Sequence, residues 1–334
     1  MKNAFDELTS RGKAGRLRLM ARKALEQYDL EVSRIRLISN DMNGIFRIDT
    51  GGGAKHILRV ALPAGGHTLE NLRSEMIWLQ ALSRDTALSV PQPLAARDGR
   101  WVIEVSVEGV PEPRLCMIFG WVPGGDLAKH ISPANMAKLG RLSAELHAHA
   151  GTFEPPPSFD ILRFDRVFPF PEPVVLFEDA YSQLFPDGGR EIYRQAVAWA
   201  QAAVDALKAD GEPMRVIHGD LHQWNVRWYR GLLSPIDFED MMWGWPVQDI
   251  AITLYHLWGH PQFSELRQAF QQGYQGHSPW PERYQGEIDA FIAARSAGMA
   301  NFVIQNNDPA WGIDAFDFVA RGERQLRSLL VQRD

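Results

Sequence analysis

Val216-Ile217-His218-Gly219-Asp220-Leu221-His222-Gln223-Trp224-Asn225, followed by Ile236-Asp237-Phe238-Glu239-Asp240, is the stretch from which the rest of this chain can be read. Between its two parts lie two runs of strand formers, 226–229 and 232–236, joined by Arg230-Gly231, a two-residue hairpin signal. Such a turn pairs Tyr229 with Leu232, and counting back sets Asn225 opposite Ile236. The Asn225 amide and the Asp237 carboxylate then stand side by side at the open end of the hairpin, with Asp220 on the loop that feeds it. Asn225 and Asp237 offer hard oxygen ligands, which suit Mg²⁺, an ion that keeps waters and completes its shell with substrate phosphates. Asp220 is placed to accept a proton from an attacking hydroxyl. Taken singly, these residues are a turn former, a loop cap and a strand end. At this spacing they read together as a site.

An Asp, an Asn five residues later and an Asp after a hairpin form the layout used for phosphoryl transfer in kinase-fold enzymes. His218-Gly219-Asp220-Leu221-His222-x-x-Asn225 with 236–240 resembles the aminoglycoside phosphotransferase, choline kinase and homoserine kinase superfamily, the APH-type kinases. The resemblance covers about residues 31–330, and Val247-Gln248-Asp249-Ile250-Ala251 fits the element that opens the next helix in that family. It implies an α+β, protein-kinase-like two-lobe fold, ATP and Mg²⁺ as cofactors, and Asp220, Asn225 and Asp237 as catalytic residues, with Asn225 and Asp237 on the metal. It also implies that Asp249 braces the catalytic loop. His218 reads as ordering the loop backbone rather than acting as acid or base, and His222 as packing the loop.

Upstream, 34–39, 44–49 and 56–60 are period-two segments separated by turn signals, a three-stranded antiparallel meander. A helix capped by Thr68 follows, then strands around 101–107 and 114–119. By resemblance this lobe binds nucleotide. The turn 40–44, with Asn43 and Gly44, covers the phosphates. Arg59 occupies the place of the family's strand-three lysine, and Glu75 is its ion-pair partner. The stretch 117–121, with Ile118, Phe119 and Gly120, is the hinge that offers backbone groups to adenine. Arg and Lys are not interchangeable, so Arg59 departs from the commonest pattern. Gly51-Gly52-Gly53 reads only as a hairpin turn.

The 334 residues suit two units: a helical extension over 1–30, a nucleotide-binding lobe over 31–120, and a catalytic, mainly helical lobe over 121–334. Ser132-Pro133 opens the first helix of that larger lobe, and a proline-rich stretch from 155 to 186 reads as either an ordered irregular excursion or a flexible insert. The net charge of −6 disfavours a nucleic-acid partner. One cysteine, Cys116, precludes an intrachain disulfide. No signal-peptide pattern or apolar run of membrane-spanning length is present, so a cytoplasmic protein without membrane association is expected.

The basic amphipathic helix over 5–28 is read as a packed helix with a solvated face. The expected partner is a small-molecule hydroxyl acceptor: an amino alcohol, a hydroxy amino acid, a sugar or an aminoglycoside. The oligomeric state is left open. A stress-response-type protein Ser/Thr kinase and a nucleotide-binding pseudokinase are the alternatives. The second conflicts with the intact Asp220, Asn225 and Asp237.

Overall fold

The computed structural model describes residues 5–40, 42–61, 67–185, 188–306 and 313–333. The chain divides into two compact units, Met1–Pro123 with Pro155–Asp160, and Gly124–Glu154 with Ile161–Asp334.

In the first unit, helix α1 (Ser10–Leu25) starts at Thr9, whose hydroxyl accepts the Gly12 N–H at 3.2 Å. Strands β1 (Val32–Ser39), β2 (Gly44–Thr50) and β3 (Lys55–Val60) form the antiparallel meander. Helix α2 (Leu69–Asp85) is opened by a reciprocal capping box between Thr68 and Asn71. Strands β4 (Pro93–Leu94), β5 (Val102–Val105) and β6 (Arg114–Gly120) complete a sheet of order β1-β2-β3-β6-β4, with β5 also paired to β6.

Alternation along the strands turns Phe46 and Ile48, Leu58 and Val60, and Cys116 and Ile118 to one face, where they meet Met20, Ala21 and Ala24 of α1. Helix α1, read from the sequence as a packed helix within a 1–30 extension, therefore shares the core of the sheet. Its apolar stripe has no other place to bury, and each large side chain buried there contributes about 1.5–3 kcal/mol. Residues 155–160 return to this unit, where the Asp160 N–H donates to Ser74 Oγ at 2.8 Å and Asn71 Nδ2 donates to the Asp160 carbonyl at 3.0 Å.

The second unit is mainly helical. It opens with β7 (Gly125–Asp126) and α3 (Pro133–Thr152), the latter capped by Ser132 with Pro133 at its first position. Helix α4 (Gly189–Ala209), strands β8 (Arg215–Ile217), β9 (Val226–Tyr229), β10 (Leu232–Pro235) and β11 (Met242–Gly244), and helices α5 (Pro246–Tyr255), α6 (Phe263–Gln275), α7 (Glu287–Gln305) and α8 (Ala315–Arg333) follow. Helices α3 and α6 touch through Gly140 and Gly273. A Cβ on Gly140 would lie 1.9 Å from the Phe270 carbonyl oxygen, and one on Gly273 would lie 1.8 Å from that of Ala137.

A second core gathers Tyr193 and Ala196 of α4, Ala293, Ala297 and Ala300 of α7, and Val319 and Leu326 of α8. The proline-rich stretch follows an ordered irregular path. Trp243 bonds both sides of Arg163 through its backbone: the Phe164 N–H donates to the Trp243 carbonyl at 2.7 Å and the Trp243 N–H to the Leu162 carbonyl at 2.8 Å. Asn301 Oδ1 accepts the N–H groups of Val175 and Leu176 at 2.8 and 3.0 Å. Pro186 and Asp187 lie outside the described residues. Among the described residues no helix is long and apolar enough to cross a membrane.

Cys116 lies at 0 % exposure inside the sheet core, and burial pushes its thiol up to about 12. Thiolate is the reactive species. A disulfide reagent at pH 8 is therefore expected to label Cys116 only as the first unit opens, with the rate rising in step with denaturant. Stoichiometric labelling of the native protein within seconds would contradict this packing.

Candidate active site

Strand β8 delivers the chain into the loop 218–225, and its antiparallel partner β11, with Ile217 opposite Met242, receives it after the β9–β10 hairpin. The loop turns at Gly219, where φ is +78° and a Cβ would stand 2.1 Å from the Asp240 carbonyl oxygen. Only glycine combines that backbone angle with that approach. The hairpin turns at Arg230 and Gly231, with φ of 51° and 82°, the primed geometry that suits strand twist. Tyr229 pairs with Leu232 and Val226 with Pro235, and the Ile236 N–H donates to the Asn225 carbonyl at 2.9 Å. The register read from the sequence is the one observed. Asp237 follows at once with φ 67°, a conformation that costs a non-glycine residue about 1–2 kcal/mol.

Asp220 and Asn225 are joined directly. Asn225 Nδ2 donates to the Asp220 carbonyl at 3.0 Å and to its carboxylate Oδ2 at 2.9 Å. Only the amide nitrogen can donate to two acceptors, so Oδ1 of Asn225, the hard donor, is turned away from Asp220. His222 accepts the Trp224 N–H on Nδ1 at 3.3 Å, which leaves the proton on Nε2, 3.2 Å from Asp220 Oδ2. The other carboxylate oxygen pairs with Arg295 Nη2 of α7, and the same Nη2 lies 3.5 Å from His256 Nε2. Burial alone would push the Asp220 carboxyl up. Arg295, followed by His222, outweighs burial and holds it below the usual carboxylate range.

Helix α5 holds the loop along one face. Asp249 in its first turn accepts the His218 N–H at 3.2 Å and the Gly219 N–H at 2.9 Å, while His147 Nε2 of α3 donates to it at 3.0 Å. His147 Nδ1 meets the Tyr274 hydroxyl at 3.0 Å. One turn on, the Thr253 hydroxyl donates to the Leu221 carbonyl at 2.5 Å, and Gln223 Nε2 donates to the His256 carbonyl at 3.0 Å. His218 bonds within the loop, its Nε2 on the Ile236 carbonyl at 3.1 Å, and burial pushes its imidazole down against the pull of Asp249 and Asp220. A neutral, internally bonded ring is an ordering element. Thr253, Gln223, His256, His147 and Arg295 escape a reading of the sequence alone. The signal for two of them was present, since Asp249, Thr253 and His256 share one helix face at i, i+4 and i+7.

The first unit places its expected residues as follows. Arg59 and Glu75 form a buried ion pair at 3 % and 2 % exposure. Arg59 also reaches Met117 Sδ through Nη2 at 3.0 Å, and its guanidinium lies 5.2 Å from the Phe119 ring. Both charges are out of water and each requires the other, because a lone buried charge would cost about 3–5 kcal/mol. Ile118 and Phe119 lie inside β6, buried between β3 and β4. The Gly120 N–H donates to the Gln92 carbonyl at 2.8 Å and the Trp121 N–H to that of Lys55 at 3.2 Å. Within the stretch 117–121 these two N–H groups are engaged by the unit's own backbone. Asn43 is half-buried ahead of β2. Gly44 is buried, and a Cβ there would stand 3.3 Å from Leu17 and 3.4 Å from Phe46 and Val60. Asp41, in the same turn, lies outside the described residues.

Residues 34–286 match the phosphotransferase enzyme family, APH. The chain belongs to that family. As a phosphotransferase it is an enzyme, and the resemblance read from 218–251 holds for most of its length. It is similar to amicoumacin kinase of Bacillus subtilis (strain 168), at 22 % identity over 249 residues, covering 72 % of this chain and 68 % of the relative. Among solved structures it shares the protein-kinase-like fold of an amicoumacin kinase bound to AMP-PNP and Ca²⁺, with a TM-score of 0.74, 17 % identity and 96 % of each chain covered. A microcompartment-associated aminopropanol kinase has a TM-score of 0.71 at 20 % identity, over 93 % of this chain and 94 % of that one. At these identities the structures establish the fold of this phosphotransferase and leave its acceptor open.

Removing the Asp249 carboxylate strands two loop N–H groups and the His147 N–H in a water-free setting. Asp249→Ala is expected to lower the unfolding free energy of this phosphotransferase by about 3 kcal/mol, read from urea denaturation at pH 7. A change under about 0.5 kcal/mol would show that the brace is dispensable.

The site also sets a pH dependence. His218 is pushed down, and burial together with Arg295 and His222 pushes His256 down to about 2. The unfolded chain therefore binds more protons than the folded one below about pH 6.5, and stability falls as pH drops through that value. The depressed Asp249 and Asp220 extend the loss below about pH 4. A urea midpoint that is flat or rising between about pH 7 and pH 4.5 would contradict the neutral histidines.

Proposed function

We propose that this chain transfers the γ-phosphate of ATP, with Mg²⁺, to a hydroxyl of a small-molecule acceptor, and that Asp220 receives the hydroxyl proton. The observation that carries this reading is the joined pair of Asp220 and Asn225 on a loop braced by Asp249. Asn225 turns its amide nitrogen to Asp220, which aims the amide oxygen elsewhere, and the hairpin register brings Asp237 next to the same strand end. This donor set, one amide oxygen and one carboxylate, fits a magnesium ion that keeps waters and phosphate oxygens. Asn225 and Asp237 would hold the ion, and its chemistry when bound is to neutralise charge on the phosphates. In the first unit Arg59, oriented by Glu75, is the residue for the nucleotide's phosphates.

In the transfer, the acceptor oxygen forms a bond to the γ-phosphorus while the bond from that phosphorus to the bridging oxygen breaks and ADP leaves. The hydroxyl proton passes to Asp220 and from there to solvent. A carboxylate held below its usual range is a weak base, which suits a loose transition state in which the nucleophile loses its proton late. Its larger contribution is to fix the hydroxyl in line, a positioning role.

Asp220→Asn keeps the shape and the Asn225 contact but removes the proton acceptor. It is expected to lower kcat about 10²–10⁴-fold in a coupled ADP-release assay over a panel of small hydroxyl compounds, with the folded fraction at the assay temperature checked by its melting curve. Asp237→Asn is expected to raise the Mg²⁺ concentration for half-maximal rate by about tenfold or more. Full activity of Asp220→Asn would sink the base assignment. Labelling of protein substrates alone would replace the small-molecule acceptor with a protein.

A further inference from the structure

The carboxylate that should hold the acceptor hydroxyl has a resident cation. Arg295 Nη2 pairs with Asp220 Oδ1, although Asp220 already has Asn225 and His222 on its other oxygen. The guanidinium is poorly satisfied in this seat. Among the described residues its Nε is buried with no hydrogen-bond partner, and Nη2 has the long 3.5 Å contact to His256 besides Asp220. Asp220, His222 and His256 bring one carboxylate oxygen and two imidazole nitrogens within 4.8 Å of one another, an arrangement that could suit a metal ion. Arg295 already lies on two of these three groups and supplies the positive charge there.

The surroundings are cationic and aromatic rather than acidic. His222, Trp224 and His256 pack edge to face, with ring centroids 5.4, 4.4 and 5.8 Å apart. Trp224 is 51 % exposed, so this wall reaches solvent. Tyr255, which packs on His256, lies in the field of both Arg295 and Arg321. The carboxylates on α7 are committed elsewhere, Glu287 to Arg283 and Asp289 to Arg267. An acceptor rich in amines would meet arginine here.

We propose that the acceptor carries a carboxylate beside its hydroxyl, that it is a hydroxy acid, and that Arg295 anchors this carboxylate. This rests on the reading of Asp220 as the group that receives the hydroxyl. An incoming carboxylate offers the guanidinium fork two parallel acceptors in place of one contact and an orphaned Nε. An acceptor of equal length lacking the carboxylate leaves Arg295 on Asp220 and competes with it for the same oxygen.

The test compares kcat/KM, with MgATP, for matched compounds: 3-hydroxypropanoate against 1,3-propanediol, and homoserine against 3-aminopropanol. The carboxylate member of each pair is expected to be favoured by about tenfold or more. Arg295→Met should bring the ratio to within about twofold, chiefly through KM for the carboxylate compound, while Arg295→Lys, which keeps the charge, should retain part of the preference. A general structural lesion would depress both members alike and leave the ratio intact, which overturns the anchor. Equal or greater turnover of the amine or diol, dependent on Asp220 and indifferent to Arg295→Met, also overturns this inference and leaves phosphoryl transfer through Asp220 standing. Turnover that is unchanged in Asp220→Asn overturns both.

Discussion

One buried carboxylate organises the second unit. Asp249 accepts the N–H groups of His218 and Gly219 and is itself held by His147. A negative charge at 1 % exposure would be costly if unpaired, and its stability here depends on all three donors being in place. The arrangement is therefore close to all-or-none. With the carboxylate satisfied, the loop that carries Asp220 has one path, and Gly219 takes the backbone angle that path requires. Asp249 lies in the first turn of α5, where the helix N-terminus also favours negative charge.

From that anchor the geometry passes outward in short steps. Thr253 and His256, further along α5, fix the loop at Leu221 and Gln223. The loop ends in Asn225, whose carbonyl receives the Ile236 N–H, so the hairpin register and the loop position are set by the same residue. Asn225 then ties back to Asp220 through its side chain. The chain thus closes on itself twice within a few residues, and two hydrogen-bonded closures leave little freedom to the carboxylate that matters. Arg295 stands outside this framework, on α7, and pairs with Asp220 from a helix rather than from within the loop.

Much of this could be read beforehand because it is local. A two-residue turn dictates strand register, so the pairing of Tyr229 with Leu232 followed from Arg230-Gly231. The period of two in β1–β3 and the caps at Thr68 and Ser132 are likewise short-range physics. Arg59 and Glu75 could be matched because strand alternation and a helical stripe are both regular. Contacts between separate segments were not legible in this way. Leu17 of α1 closes on Gly44, where a Cβ would stand 3.3 Å from its side chain. Gln92 and Lys55 take the N–H groups of Gly120 and Trp121. That the helix over 5–28 packs could be read, but a helix alone does not reveal which sheet it covers.

The sequence by itself determined the elements, the hairpin register and the trio Asp220, Asn225 and Asp237, because periodicity, turn chemistry and close spacing act over a few residues. Only the tertiary structure decided what surrounds Asp220. His147, which holds the brace Asp249, and Arg295, which pairs with Asp220, come from two helices about 150 residues apart, and no periodic signal links them to the loop. Their meeting is a product of helix packing, of the Gly140–Gly273 contact that seats α6 against α3 and of the alanine-lined face of α7. A charge that arrives by packing rather than by spacing cannot be foreseen from a motif, and here it is such a charge that sets the electrostatics of the candidate base.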